Sequence, residues 1–328
     1  MSHQASLNNE EGVYHLPDTL RGWPWHRQLN TAYQEVKRAS SRWILGFKAF
    51  NPQAQKAFER CDFNQLRVAC DMMQLFFVFD EYSDREGEGA VRTMADAIMA
   101  GMRTPTVKQE LVIGEISRQF WLRALDVLST ATQRRFIDAF QDYTASVVLQ
   151  AQDRERAHVR DVSDYLTVRR DTIGTRPCFV LLQQDLPLAL QALTDPEVLR
   201  LEMLATDMII LGNDLYSYNV EQSRGDDGHN VIAIVQRKYG WTLAEAISWV
   251  KDEHEDLVQS FLATAKSLPS FGDGIDAEVR CYVDGLGQWV RANEAWSFES
   301  ARYFGCEGLD MQKHRRVKIL PRLPKHAL

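Results

Sequence analysis

Three residues able to bind a hard metal ion stand at four-residue steps in one stretch of the chain: Asn213, Ser217 and Glu221. On a helix of about 3.6 residues per turn, such positions share a face. Amide, hydroxyl and carboxylate oxygens are the donors that Mg²⁺ prefers. The preceding residues 208–211 are apolar, so the three polar side chains lie on a helix that is otherwise buried. Buried polar groups need a binding partner, and a metal ion is one candidate. A solvated helix surface is the alternative, since each residue type is common there.

A second acidic pair closes the most apolar helical stretch of the first half, residues 65–82. Asp80 and Asp84 are one turn apart and share a face. Two such carboxylates repel each other unless a cation lies between them, and they also oppose the helix macrodipole. Phe76 and Phe77 place the pair at the mouth of an apolar region. The sequence therefore indicates a second metal site, with a solvated acidic helix end as the alternative.

Basic residues suited to phosphate occur at two further places. Arg169 and Arg170 precede Gly174, where a glycine and a proline three residues later interrupt a helix. An arginine at a helix break can direct its planar guanidinium at phosphate oxygens. The sequence does not decide which of the two does so. Arg302 and Tyr303 pair a cation with a phenol near the C-terminus. A surface salt bridge is the alternative for any one of these arginines.

The elements that carry these residues are helices. Apolar residues recur at helical spacing through most of the chain, whereas no series of alternating strands is present. Prolines and glycine-rich loops separate the helical segments. We therefore predict one all-α domain of roughly ten or more helices over residues 16–328, preceded by a flexible lead at residues 1–15.

Composition excludes several classes of protein. The chain has 328 residues, 45% hydrophobic and 25% charged, which is ordinary for a globular protein. The formal net charge of −7 argues against a basic surface for nucleic acid. No apolar run reaches the roughly 18 residues of a membrane span. The N-terminus lacks a secretory signal and the five cysteines are scattered, so we expect reduced thiols and a cytoplasmic location. The oligomeric state is not determined by the sequence.

Four motifs in order resemble those of class I terpene cyclases, and most closely the sesquiterpene synthases of basidiomycete fungi. They are DEYSD at 80–84, RRDTIG at 169–174, NDLYSYNVE at 213–221 and ARY at 301–303. Three further stretches are similar to the protoilludene synthase branch: LPDTLRGWPWHRQLN near the start, CDFN at 61–64 and RGDDGHN at 224–230. The resemblance extends from about residue 16 to the C-terminus.

The resemblance implies a fold and a reaction. The fold is a set of antiparallel helices around a deep apolar cavity. The reaction is the magnesium-dependent ionisation and cyclisation of farnesyl diphosphate to a sesquiterpene with release of diphosphate. It makes the protein a lyase of fungal isoprenoid secondary metabolism. The protoilludene branch folds its substrate through a humulyl-type cation.

The resemblance also assigns roles to residues of this chain. Asp80, with Asp84 nearby, would hold two magnesium ions, and Asn213, Ser217 and Glu221 would hold a third. The diphosphate would be bound by Arg170, Arg302 and Tyr303. Gly174 would be the backbone point that shifts when diphosphate binds. The cavity wall would include Phe76, Phe77, Tyr82 and Trp296.

The chain departs from the family pattern at two places. Glu81 replaces the second aspartate of the commonest acidic motif, a familiar variant. The run QLRVAC at 65–70 looks shorter than in relatives, which leaves open a helical isoprenoid-binding protein with lost or weakened catalysis. A chain-elongating prenyltransferase is a further alternative. It normally carries an aspartate-rich motif at both metal sites, and NDLYSYNVE does not supply the second.

Overall fold

The computed structural model describes residues 12–29, 31–48, 67–183, 186, 188 and 190–323. Helices dominate this part of the chain, which confirms the predicted all-α class. The first eleven residues of the expected lead and the CDFN stretch lie outside the described residues. Among the described helices, none has the length and apolarity that crossing a bilayer requires.

The described α-helices are numbered in chain order. The first half contains α1 (Tyr33–Leu45), α2 (Arg67–Ser83), α3 (Glu88–Arg103), α4 (Val112–Leu125), α5 (Thr130–Glu155), α6 (Val162–Thr172) and α7 (Thr175–Leu181). The second half contains α8 (Leu190–Leu193), α9 (Pro196–Arg224), α10 (Val231–Tyr239), α11 (Leu243–Lys266), α12 (Ile275–Glu299), α13 (Ala301–Phe304) and α14 (Gly308–His314). Single 3₁₀ turns lie at Asp227–His229 and Gly305–Glu307.

A short antiparallel sheet joins the two ends of the described chain. Strand β1 (Val13–His15) pairs with β2 (Arg316–Lys318), with Tyr14 opposite Val317. The last three residues of the expected flexible lead are thus part of a sheet. From the end of β2 onwards, the chain contacts α9. The Asn219 side chain donates to the Lys318 carbonyl at 2.9 Å and accepts from the Leu320 amide at 2.9 Å.

Helix α2 is buried, as its apolar sequence predicts. Leu75, Val78 and Phe79 have no accessible surface. Aromatic rings of α5 pack against this helix. The ring of Phe76 stacks on that of Phe140 with centroids 5.4 Å apart, and Tyr143 meets Phe76 edge-on at 4.7 Å. Burial of these large rings is a major source of stability for the first half of the fold.

A buried carboxylate fixes the beginning of α2. Asp71 is fully buried and accepts hydrogen bonds from Ser40 at 2.6 Å, from Arg67 at 2.8 Å and from Arg123 at 2.7 Å. These partners come from α1, α2 and α4, so one carboxylate joins three helices. Of the short 65–70 run, residues 67–70 form the first turn of α2 and residues 65–66 lie outside the described residues. The segment that leads to the acidic motif is therefore firmly held.

Helix α9 is the longest of the described helices and packs against α11 and α12. Asp195 caps its N-terminus by accepting from the Glu197 amide at 2.9 Å, and Pro196 occupies the first turn. Gly225 ends it in the left-handed conformation with φ of 80°. Between these ends Ile210, Leu211 and Leu215 are buried, so the polar triplet stands on a rigid element.

Candidate active site

Asn213, Ser217 and Glu221 share one face of α9, and their side chains are buried or half-buried. Ser217 is 2% exposed, while Asn213 and Glu221 are half-buried. The side-chain amide of Asn230 lies 2.9 Å from Glu221 Oε2 and 3.5 Å from Ser217 Oγ. Burial, and then the charge of Asp214, raise the pKa of Glu221 to about 7.

The acidic pair lies at the C-terminal end of α2 and faces the α9 triplet. The Asp80 side chain is 43% exposed. The Asp84 side chain is exposed to solvent on one side. Desolvation by the protein that surrounds its other side, and then the charge of Asp80, raise the pKa of Asp84 to about 8. The charge of Glu221 acts on Asp84 in the same direction. The two predicted metal motifs are thus close enough for their carboxylates to repel each other.

Arg302 and Tyr303 of α13 contact both motifs. The Arg302 guanidinium donates to Asp80 Oδ2 and lies over the ring of Phe77, 5.2 Å from its centroid. The Tyr303 hydroxyl accepts from the Asn213 side-chain amide at 3.0 Å. One short helix therefore connects the end of α2 to α9 and places a cation and a phenol between the two sets of oxygen ligands.

The two neighbouring arginines of α6 point to different places. Arg169 donates from Nη2 to Asn213 Oδ1 at 2.7 Å and contacts Asp214 Oδ1 at 3.4 Å. Arg170 instead forms a bidentate pair with Asp207, with both contacts at 2.8 Å. The structure thus brings Arg169 to the metal motifs and does not bring Arg170 there. The expected diphosphate contact of Arg170 stays a prediction.

One residue of this region, Asp214, was missed at the sequence level. Asp214 is 1% exposed and accepts from the Tyr165 hydroxyl and, at 2.9 Å, from the Val231 amide. Burial raises the pKa of Asp214, whereas Arg169 and the Tyr165 hydroxyl oppose that shift. Asp214 thereby orients Arg169 towards Asn213. The sequence did contain a signal for this residue, because Asp214 is an acidic residue within an otherwise apolar helical run.

The expected cavity-wall residues fall into different environments. Phe77 stacks on Trp296 with centroids 5.2 Å apart, and Trp296 meets Tyr303 edge-on at 5.8 Å. These two rings lie beside the proposed diphosphate-binding residues. Phe76, by contrast, is buried in the core against α5. Tyr82 is half-buried and packs against that same core. The assignment of all four to a cavity wall stays a prediction.

Gly174 lies at the break between α6 and α7, in the left-handed region with φ of 74°. A Cβ atom placed there would stand 3.2 Å from the tip of the Phe76 ring. The glycine thus permits both the backbone conformation and the close approach of an aromatic ring from α2. Its proposed movement on diphosphate binding stays a prediction.

We expect Gly174→Ala to be less stable than Gly225→Ala. Both glycines have positive φ, so each alanine carries a backbone cost of about 1 kcal/mol. Only Gly174 adds crowding, because no atom lies within 4 Å of a Cβ at Gly225. Thermal unfolding of the two variants measures the difference in melting temperature. Equal decreases would show that the contact with Phe76 is unimportant.

The residues present suit a hard divalent cation. Within the described part of the chain, no three His, Cys, Asp or Glu side chains are grouped for metal binding, so a site on α9 depends on the Asn213 and Ser217 oxygens. Asn213 Oδ1 already points at a positive charge, that of Arg169. The charges of Asp80 and Glu221 both act unfavourably on the Asp84 carboxylate, and a cation beside Asp84 would relieve this repulsion. Hard oxygen donors with surplus negative charge fit Mg²⁺.

Comparison with known proteins identifies the family. Residues 71–260 match the family described as terpene synthase family 2, C-terminal metal binding. A Delta(6)-protoilludene synthase of Hypholoma sublateritium is 47% identical over 318 residues, covering 96% of this chain and 97% of the relative. A Delta(6)-protoilludene synthase of Stereum hirsutum is 46% identical over 324 residues, covering 94% of this chain and 93% of the relative.

Solved structures agree on the fold. Hedycaryol synthase in complex with HEPES matches with a TM-score of 0.72 and 19% identity, covering 86% of this chain and 98% of that one. Linalool/nerolidol synthase from Streptomyces clavuligerus matches with a TM-score of 0.72 and 20% identity, covering 84% and 98%. The resemblance inferred from four short motifs is confirmed by the relatives at 46–47% identity, which match over nearly the full chain. The chain belongs to terpene synthase family 2.

Proposed function

We propose that the protein is a magnesium-dependent sesquiterpene synthase that ionises and cyclises farnesyl diphosphate and releases diphosphate. The observation that carries this proposal is the bridge formed by α13. Arg302 contacts Asp80 on α2 and Tyr303 contacts Asn213 on α9, so donors for phosphate stand between two sets of metal ligands. This arrangement suits a substrate whose leaving group carries several negative charges.

The residues of the site have separable tasks in this reaction. Asp80, Asp84, Asn213, Ser217 and Glu221 would hold three magnesium ions. Bound Mg²⁺ supplies positive charge that stabilises the diphosphate as the carbon–oxygen bond breaks.

Three donors remain for the phosphate oxygens. Arg302 and Tyr303 would donate from α13, and Arg169 would donate from α6. Their contacts with Asp80 and Asn213 hold these groups in place before substrate arrives. Donors that are already oriented need no reorganisation as charge develops on the leaving group.

The aromatic rings beside these donors suit a carbocation. Phe77 and Trp296 present stacked faces next to Arg302 and Tyr303. Such rings exclude water and interact favourably with positive charge through their quadrupoles. We propose a protoilludene-type product formed through a humulyl cation, because relatives at 46–47% identity are named Delta(6)-protoilludene synthases.

The structure gives no support to the alternative of lost catalysis that the short 65–70 run left open. Asp71 is held by residues of three helices, and Arg302 reaches Asp80 at the other end of α2. Both ends of the helix that carries the acidic motif are therefore fixed. The alternative of a chain-elongating prenyltransferase is also disfavoured, because α9 does not carry the second aspartate-rich motif that such an enzyme normally has.

A product assay tests the proposal directly. The purified full chain is incubated with farnesyl diphosphate and Mg²⁺, and the volatiles are analysed by gas chromatography with mass spectrometry. We expect a sesquiterpene that disappears when the metal is chelated. Absence of any volatile above a boiled control would reject the function. Longer isoprenoids formed on addition of isopentenyl diphosphate would indicate a prenyltransferase instead, and binding without turnover would indicate a non-catalytic protein.

A further inference from the structure

The RGDDGHN loop at 224–230 returns the chain to the face of α9 that carries the proposed metal ligands. Gly225 turns the chain, and the Asp226 amide donates to the Glu221 carbonyl at 3.0 Å. A 3₁₀ turn at Asp227–His229 follows. The loop ends at Asn230, which has no accessible surface. A polar side chain with that degree of burial requires partners for all of its donors and acceptors.

Each polar atom of the Asn230 side chain is engaged. Its Oδ1 accepts from the Ile232 amide at 3.0 Å, which caps the N-terminus of α10. Its Nδ2 donates to the Asp214 carbonyl at 2.8 Å and to Glu221 Oε2 at 2.9 Å, and lies 3.5 Å from Ser217 Oγ. The cap and the Asp214 carbonyl determine how the amide is oriented, so the contact with Glu221 is fixed by the backbone of two helices.

This contact matters because the Ser217 and Glu221 side chains can each adopt more than one staggered rotamer, and only some of these rotamers direct the oxygens at a metal ion. An amide donor removes that freedom without adding a positive charge that would compete with a metal ion. A lysine or arginine at the same place would neutralise the carboxylate. The neutral amide leaves the negative charge of Glu221 available.

We propose that Asn230 is a positioning residue that holds Ser217 and Glu221 in the orientation needed for the third magnesium ion. This inference rests on the proposed function. Partners of metal ligands typically change metal affinity by about 10- to 100-fold when they are removed. The competing explanation is that Asn230 serves only to cap α10.

Substitution by serine separates the two explanations. Serine is a good N-cap, so Asn230→Ser retains the cap of α10. Its side chain is one heavy atom shorter in reach and does not extend to Glu221. Asn230→Thr provides a second cap-competent variant should the serine variant fold poorly. The matched control is Ser129→Ala, which removes the N-cap of α5, where Ser129 accepts from the Thr132 amide at 3.2 Å.

The readout is thermal stabilisation by Mg²⁺ in the presence of inorganic diphosphate, which does not depend on turnover. For Asn230→Ser we expect the Mg²⁺ concentration at half-maximal stabilisation to rise about 10- to 100-fold. In Ser129→Ala the melting temperature without ligand should fall while that concentration stays at the wild-type value.

An unchanged Mg²⁺ midpoint in both cap-competent variants would overturn the positioning role and leave only the cap. A wild-type chain that shows no Mg²⁺-dependent stabilisation would instead contradict the proposed function itself. The two failures are therefore distinguishable within one set of melting curves.

Discussion

Replacing Asn213 by alanine should lower kcat/KM roughly 10²- to 10³-fold, the scale found when one preorganised group that stabilises developing charge is lost. Asn213 is a proposed metal ligand, and it also accepts from Arg169 and donates to Tyr303. Its removal therefore takes away an oxygen ligand and releases two phosphate donors at once. Steady-state kinetics with farnesyl diphosphate at saturating Mg²⁺ measure the effect, and circular dichroism melting shows that the variant is folded.

Two variants sharpen this test. Asn213→Asp retains an oxygen ligand, so it should lose far less activity than the alanine variant. Asn293→Ala removes another asparagine beside α9, one that donates to the Ile209 carbonyl at 3.4 Å, and should keep most of the activity. Comparable losses in Asn213→Ala and Asn293→Ala would contradict the assignment of Asn213 as a ligand.

The parts of the site that could be predicted are those set by local periodicity. Asn213, Ser217 and Glu221 share a face because a helix repeats about every 3.6 residues, and their apolar neighbours indicate which helix is buried. The buried character of α2 follows from the same pattern. No long-range information is needed for either conclusion, so one sequence suffices.

The sequence does not decide which of two neighbours on a helix faces the site, because their side chains diverge by about 100°. Phe76 and Phe77 are adjacent, yet Phe76 enters the core while Phe77 lies beside Arg302. Arg169 and Arg170 are likewise adjacent and bind different carboxylates. Which neighbour faces the site depends on how the whole helix is rotated against the others, and that rotation is a property of tertiary packing.

Contacts between distant segments were also beyond a single sequence. The cap that Asn230 forms on α10 is local, but its contact with Glu221 depends on the path of the intervening loop. The strand pair β1–β2 joins segments some 300 residues apart, with three residues on each side. A run of three residues is too short to display the two-residue period of a strand, so the lead was predicted to extend through residue 15.

Exchanging each arginine of the α6 pair for lysine should give very different losses. In Arg169→Lys we expect kcat/KM to fall about 100-fold. Arg169 contacts Asn213 and Asp214 through Nη2 alone, which leaves its other guanidinium N–H groups for phosphate oxygens, whereas lysine keeps the charge but has a single nitrogen. In Arg170→Lys we expect a decrease of less than about 10-fold, since this side chain is engaged by Asp207. Steady-state kinetics of the two variants, measured side by side, give the ratio.

Inhibition by inorganic diphosphate separates binding of the leaving group from a general loss of structure. Arg169→Lys should weaken that inhibition, whereas Arg170→Lys should leave it close to the wild-type value. The opposite order, with Arg170→Lys the more impaired in both measurements, would show that α6 rotates or rearranges to present Arg170 when diphosphate binds. It would then restore the assignment that the family resemblance implies. The buried Asp214 argues for the first outcome, because its contacts with Tyr165 and the Val231 amide hold the carboxylate that keeps Arg169 directed at Asn213.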